Sequence, residues 1–203
     1  MTPGLPVDVS RETIELLQHY KELILKWNRS INLISPSTVA VLWDRHISDS
    51  VETVYEMKSV PNHWLDLGSG GGLPGIVAAI RSKLDDDPFQ VTLLESDTRK
   101  CAFLRTVSRE LNLSTEVVCG RIEEMPPQNA DVISARALAP LPKLLGYCLM
   151  HSSESTQLIL PKGQAWKSEV EEARKHYEFS LEVRPSVTQE GSVNLVIEGL
   201  KRG

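Results

Sequence analysis

One short stretch restricts the fold of this chain more than any other: Trp64-Leu-Asp-Leu-Gly-Ser-Gly-Gly-Gly-Leu-Pro-Gly75. An apolar run ends in the acidic Asp66 and passes into glycines at alternate positions, Gly68, Gly70 and Gly72, before Ile76-Val-Ala-Ala-Ile80 resumes as a helix. Positions without side chains let a backbone turn tightly and come close to a ligand. The pattern is that of a strand opening into a binding turn at the head of a helix, a device of alternating α/β folds that points to a nucleotide-like cofactor.

The rest of the chain has the order such a fold requires. Ser10 caps an amphipathic helix over residues 10–27, with apolar positions at Ile14, Leu17, Ile24 and Trp27 and a second stripe at Leu16, Tyr20 and Leu23. A turn-like segment follows to Pro36, and a second helical stretch, in one or two pieces, starts near Ser37 and runs toward Met57. β-rich runs then appear at His63–Leu67, Gln90–Glu95, Glu116–Cys119, Asp131–Ala135, Gln157–Leu160, Leu181–Arg184 and Val193–Glu198. Helical stretches at Leu73–Leu84, Thr98–Leu111, Leu141–Leu149 and Gln164–Tyr177 separate most of them, and the last two strands close as a hairpin. Alternation of this kind predicts an α/β, doubly wound, mostly parallel seven-stranded sheet with its last strand antiparallel, preceded by an N-terminal helical segment. Residues 1–60 read as a helical extension packed on a cofactor domain of residues 61–203, the two forming one structural unit. Leu84–Pro88 and Met125–Asn129 read as exposed loops.

Composition narrows the classes. With 203 residues the chain is long enough for one substantial core, and 41% apolar and 24% charged residues are ordinary for a soluble globular protein. No apolar run approaches the ~18 residues of a membrane helix. The start, Met1-Thr-Pro-Gly-Leu-Pro6, carries neither a basic segment nor an apolar signal core, so the expected location is the cytoplasm. Cys101, Cys119 and Cys148 lack metal-ligand spacing and read as buried free thiols; no metal site is expected. A net charge of -5 argues against a chain that coats nucleic acid by bulk electrostatics, so any nucleic-acid surface must be local. Arg99, Lys100, Arg105 and Arg109 on one helix could form it, an ordinary solvated helix face being the alternative.

A second acid sharpens the cofactor. Glu95 ends the next strand, 23 residues beyond Gly72, where a carboxylate can accept both hydrogen bonds of a ribose diol. Asp66, just before the glycines, would repel a pyrophosphate but suits a cationic sulfonium and ammonium, which favours S-adenosylmethionine over a dinucleotide. Ligands in doubly wound sheets lie outside the carboxyl ends of the strands. After the third strand, Ile122 could press an adenine face while Glu123 or a backbone amide meets its polar edge. After the fourth and fifth strands stand Arg136 and Lys162, two cations over one pocket, which suggests an anionic acceptor.

These residues together resemble the bacterial RsmG family, also called glucose-inhibited division protein B. Trp27-Asn-Arg-Ser-Ile-Asn-Leu33 and His46-Ile-Ser-Asp-Ser50 are similar to its N-terminal signature. Asp66–Gly75, Leu94-Glu-Ser96 with Lys100 and Phe103-Leu104, Gly120-Arg-Ile-Glu-Glu124, Ala135-Arg-Ala-Leu-Ala139 and Lys162-Gly163 follow in the family's order. The resemblance implies a Rossmann-like class I methyltransferase fold and methyl transfer from S-adenosylmethionine to N7 of a guanine (guanine 527 in the family) in the 530 loop of 16S rRNA. It implies cofactor contacts at Gly68, Leu73, Ile122, Glu123 and Arg136, to which Asp66, Gly70, Gly72 and Glu95 are added from the strand-end argument. It also brings Asn28, Asn32, His46 and Asp49 near the pocket; Asn28, Asn32, His46, Arg121 and Lys162 are the expected RNA-facing positions. For His46 and Asp49 a hydrogen-bonded pair fixing helix to sheet is the alternative. Because N7 already carries an in-plane lone pair, alignment by Arg136 and Lys162 is expected in place of a general base. The expected partner is 16S rRNA or the small ribosomal subunit, with the enzyme a monomer. Gly191–Glu198 departs from the family in lacking basic residues before the last strand. Trp166 could stack on a flipped base, core packing being the alternative. The rival readings are a methyltransferase of the same fold acting on a small molecule or protein, an NAD-dependent oxidoreductase, and a non-catalytic cofactor-binding scaffold.

Overall fold

The computed structural model describes residues 5–203. The first four residues, on which the argument about the chain's start partly rests, lie outside them.

Helix α1, Arg11–Trp27, starts where Ser10 accepts the Thr13 amide and buries Leu17, Tyr20, Leu23 and Ile24. The second helical stretch is more broken than its periodicity suggests. A 3₁₀ helix at Pro36–Val41 opens with proline in its first turn, a π-helical segment follows at Trp43–Ser48, and α2 covers Asp49–Val54. π segments inside helices are rare and gather at functional sites, because the wider turn re-aims side chains. Here it brings Arg45 and His46, with Asp49 at the start of α2, to the wall of one cavity.

Seven strands form one sheet: β1 His63–Leu67, β2 Gln90–Glu95, β3 Thr115–Cys119, β4 Ala130–Ser134, β5 Ser152–Lys162, β6 Tyr177–Pro185 and β7 Val193–Arg202, in the order β3-β2-β1-β4-β5-β7-β6. All neighbours from β3 to β5 pair in parallel, and β7 runs antiparallel to both β5 and β6. Helices α3 Gly75–Leu84 and α4 Thr98–Glu110 share one apolar cluster with α1 and α2, while α5 Leu141–His151 and α6 Trp166–Ala173 share a second on the opposite face. This is the Rossmann-like methyltransferase architecture. No helix is long and apolar enough to cross a membrane, among the described residues.

Strand alternation assigns the faces. Trp64 joins the α1–α3 cluster while Leu65 and Leu67 join the α5–α6 cluster, so Asp66 shares the face of Trp64. Burying a side chain the size of Leu or Ile contributes ~1.5–3 kcal/mol, and both faces of β1 are lined by such residues. Some features differ from expectation. β5 begins five residues early because Ser152 pairs with Ala130 across an irregularity in the ladder, a partner that its polar sequence does not reveal. Helix α6 is shorter than Gln164–Tyr177, since Tyr177 pairs with Arg202 and starts β6 instead. Cys119 is exposed, not buried, because β3 is an edge strand; Cys101 and Cys148 are buried.

Candidate active site

The strand order reverses between β1 and β4, and ligands of doubly wound sheets occupy that switch point. A cavity of about 1060 Å³ opens there, above the ends of β1, β2, β4 and β5. Ligand pockets run to roughly 300–1,000 Å³, so this one is large enough for a nucleoside-sized group and part of a second molecule.

Its floor is the turn Gly68–Leu73. Gly68 has φ +65°, and a Cβ there would lie 2.6 Å from Leu138 Cδ1; at Gly72, φ is +83° and a Cβ would lie 2.4 Å from Ile76 Cγ1. Both need glycine, but for different purposes, since Gly68 lines the cavity and Gly72 does not. Gly70 and Gly120 line the cavity with open space beyond them: the nearest atom to a Cβ at Gly70 is 3.7 Å away, though its φ of +56° would strain any side chain, and nothing lies within 4 Å of a Cβ at Gly120.

Both acids of the sequence argument fix this turn. Glu95 accepts the Gly70 amide on Oε2 and the Ser96 and Asp97 amides on Oε1, each at 2.8 Å. It lines the cavity, and Oε2 keeps a lone pair for a ligand hydroxyl. Asp66 does not line the cavity. It is 1% exposed, on the α3 side of the sheet, where Ser134 donates to Oδ1 at 2.6 Å and the Gly75 amide to Oδ2 at 3.3 Å. The Trp64 indole donates in turn to Ser134 Oγ at 2.8 Å. Burial pushes the Asp66 carboxyl up to about 6, against the pull of those donors and of Arg136. Its influence on a bound cation is therefore electrostatic, through the turn, and not by contact.

The sequence did not announce Tyr20. Its side chain is fully buried, and its hydroxyl donates to the carbonyl of Gly71, tying α1 to the glycine turn. An aromatic at a helix core position gives no sign of such a bond, which depends on α1 docking beside α3.

On the β3 side, Ile122 and Glu123 line the cavity with Arg121, Lys143 and Tyr147. Ile122 is buried and Glu123 exposed, and the His151 ring holds the loop from behind through Nε2 and the Ile122 carbonyl, 3.1 Å apart. Leu73 lines the floor, buried.

The opposite wall follows β4. Arg136 lines the cavity, half-buried, and its guanidinium makes no hydrogen bond or ion pair among the described residues. Burial lowers its pKa, while Asp49 and Asp66 pull it back up. The next residue, Ala137, has φ +53°, a left-handed conformation that costs a non-glycine residue roughly 1–2 kcal/mol. Lys162 helps to hold that loop: Nζ donates to Ala139 O at 2.9 Å and Glu169 Oε2 at 2.7 Å, and Glu169 also accepts the Leu141 amide at 2.6 Å. The ammonium is thus paired, and Lys162 acts as a clasp on the loop more than as a free anion site.

Among the other expected positions, Asn28 does not line the cavity; its Oδ1 accepts the Leu33 and Ile34 amides at 2.9 and 3.0 Å and shapes the turn after α1. Asn32 is exposed and outside the cavity. His46 and Asp49 both line it but do not pair with each other. Thr38 spends its hydroxyl proton on Ser35 O at 2.9 Å, so His46 Nε2–H must be the donor to Thr38 Oγ1 at 2.8 Å. Nδ1 is then the unprotonated nitrogen, buried without a partner among the described residues, and burial beside Arg136 and Arg45 lowers the ring's pKa to about 4. His46 therefore faces the cavity as a neutral ring with its nitrogens turned inward. Asp49 is held differently, Thr188 donating to its Oδ1. Of the basic residues on α4, Lys100 reaches the cavity; Arg99 pairs with Asp97 and Arg109 with Glu110, and Arg105 donates to Val117 O. Trp166 packs into the α5–α6 cluster instead of the cavity.

Fold and site together define a methyltransferase-type nucleoside pocket, with a glycine floor under one half and, over the other, an arginine without a partner among the described residues. Residues 13–196 match the family described as rRNA small subunit methyltransferase G, and the chain belongs to that family. It is 48% identical over 199 residues to "Ribosomal RNA small subunit methyltransferase G" of Ruegeria sp. (strain TM1040), covering 98% of this chain and 97% of that protein. A TehB-like SAM-dependent methyltransferase from Corynebacterium glutamicum superposes with TM-score 0.59 at 14% identity, over 90% of this chain and 98% of that one. The T. thermophilus 16S rRNA N2 G1207 methyltransferase RsmC, solved with AdoMet and guanosine, superposes with TM-score 0.54 at 13% identity, over 75% of this chain and 39% of that one.

Proposed function

We propose that this protein transfers a methyl group from S-adenosylmethionine to N7 of a guanine in the 530 loop of 16S rRNA, acting as a monomer in the cytoplasm on the small ribosomal subunit or its rRNA. The observation that carries this reading is one cavity with two halves. The glycine turn leaves a cradle beside Glu95, and Arg136 lines the same cavity with no partner among the described residues.

The residues present fit the cofactor. Gly68, Gly70 and Leu73 would floor its methionine part, Glu95 Oε2 would take a ribose hydroxyl, and Ile122 with Glu123 would bracket its adenine. S-adenosylmethionine, when bound, supplies an electrophilic methyl group that the in-plane N7 lone pair takes without loss of a proton. No general base is therefore required of the chain, and catalysis reduces to alignment and charge. Arg136 donates to guanine O6, beside N7, and holds the ring in plane. Lys162 and Glu169 keep the Arg136 loop in its left-handed turn. The helical segment 1–60 works as one unit with residues 61–203, because Tyr20 and Asp49 bring it to both halves of the cavity.

Purified protein should transfer labelled methyl to small subunits, or their 16S rRNA, taken from cells lacking this gene, with N7-methylguanine mapping to the 530 loop. Absence of transfer, or a product elsewhere, would sink the reading.

A further inference from the structure

Two carboxylates on α2 face the cavity, and only one is spent. Glu52 is 7% exposed and accepts the Val187 amide on Oε1 and the Ser186 hydroxyl on Oε2, both at 2.8 Å; it binds α2 to the turn between β6 and β7. Asp49, one helical turn earlier, accepts only from Thr188, on Oδ1. Oδ2 has no partner among the described residues, and Oδ1 keeps a lone pair. The tie to Thr188 fixes the carboxylate on the acceptor wall, 139 positions along the chain from its partner. Burial raises the Asp49 pKa, the cost of holding an under-solvated carboxylate there.

Arg136 lines the same cavity and carries the opposite charge, and no ion pair joins the two among the described residues. Arg136 and Asp49 line the same cavity, whereas Asp66 lies beneath its floor. The cavity wall thus offers a donor, Arg136, and an acceptor, Asp49, each with capacity unspent among the described residues. Guanine presents the complement around its rim: the O6 acceptor stands between N7 on the Hoogsteen edge and the N1–H and N2–H donors on the Watson–Crick edge. Adenine would set an amino group against Arg136 and a lone pair against Asp49, leaving both charges unmatched.

We propose that Asp49 is a specificity-determining residue that reads the acceptor guanine, its carboxylate accepting N1–H and N2–H while Arg136 donates to O6. This rests on the guanine-N7 reading above and assigns a base-recognition role to a residue at the start of α2, in the helical segment. The neighbouring His46 has no part in it, because its ring nitrogens are turned away from the cavity.

The test pairs a protein change with a base change. Small subunits are assembled on 16S rRNA carrying either guanosine or inosine at the target position, inosine lacking only the N2 amine. Wild-type kcat/KM should fall about 10- to 100-fold on inosine, the worth of one hydrogen bond to a charged group. In Asp49→Asn, which is isosteric and keeps an acceptor for Thr188, and in Asp49→Ala, activity on guanosine should fall at least about 10-fold. The inosine penalty should then shrink to within about 2-fold, while adenosylhomocysteine affinity stays at the wild-type value. A wild-type enzyme indifferent to inosine, a variant that keeps the full inosine penalty, or parallel loss of adenosylhomocysteine binding in Asp49→Asn would overturn the proposal. Failure of the underlying reading looks different: wild-type protein would then methylate neither substrate.

Discussion

Replacing Asp66 by Asn should change how stability depends on pH, and the sign and size follow from where the carboxylate sits. Asp66 is 1% exposed, and burial raises its pKa from the usual 3.8 to about 6. The folded chain thus holds this proton more tightly than the unfolded chain does. The stabilising contribution is complete below pH 3.8, declines as pH rises, and is gone above about 6. At pH 7 the ionised group therefore costs on the order of 3 kcal/mol relative to its protonated form. Against total stabilities of roughly 5–15 kcal/mol, that is measurable.

The wild-type profile alone would not show it. His46, lowered to about 4 from 6.5, works in the opposite direction: its contribution is full above pH 6.5 and is lost as pH falls toward 4. The difference between wild type and Asp66→Asn cancels His46 and every other shared group. An asparagine keeps an acceptor for Ser134 but offers an N–H to the Gly75 amide, so the variant should be less stable by about 1 kcal/mol at pH 4. From pH 4 to 7 the wild type should then lose about 2.5 kcal/mol relative to the variant, which ends the more stable of the two. Urea titrations at half-unit pH steps measure it directly. A difference that stays flat within about 0.5 kcal/mol would refute the claim that burial governs this carboxylate.

Three further outcomes are expected. Tyr20→Phe leaves the buried Gly71 carbonyl without its donor and should cost about 1–3 kcal/mol, read as a fall of roughly 2–4 °C in Tm per kcal/mol and as weaker adenosylhomocysteine binding by calorimetry. Gly68→Ala places a methyl 2.6 Å from Leu138 at a left-handed φ, so adenosylhomocysteine binding should be lost while circular dichroism still shows a folded chain. Lys162→Met leaves Glu169 without its cation and releases Ala139; methyl transfer should fall at least about 10-fold with adenosylhomocysteine affinity retained, and an unchanged rate would remove Lys162 from loop positioning.

What could be read from the sequence were the parts whose causes are local. The glycine turn announces itself because Gly68 and Gly72 stand at positive φ, where other residues are strained, and the strand–helix alternation follows from apolar period. The direction in which Asp66 points was not local. Its neighbours in the chain suggested a carboxylate facing a cation, whereas the pleat turned it toward α3 and Ser134. Tyr20, the paired state of Lys162 and the inward nitrogens of His46 likewise depend on partners that only folding brings near. The acceptor wall is the extreme case. A π-helical segment and α2 carry Arg45, Asp49 and Glu52 to it, and both carboxylates are fixed by the turn at 186–188, near the far end of the chain. The sequence shows only that the neighbouring Gly191–Glu198 lacks basic residues, and it assigns the turn at 186–188 no task. That turn's amide and hydroxyls occupy Glu52 and one oxygen of Asp49, so of the two α2 carboxylates only Asp49 keeps an oxygen without a partner among the described residues, at the cavity that Arg136 also lines.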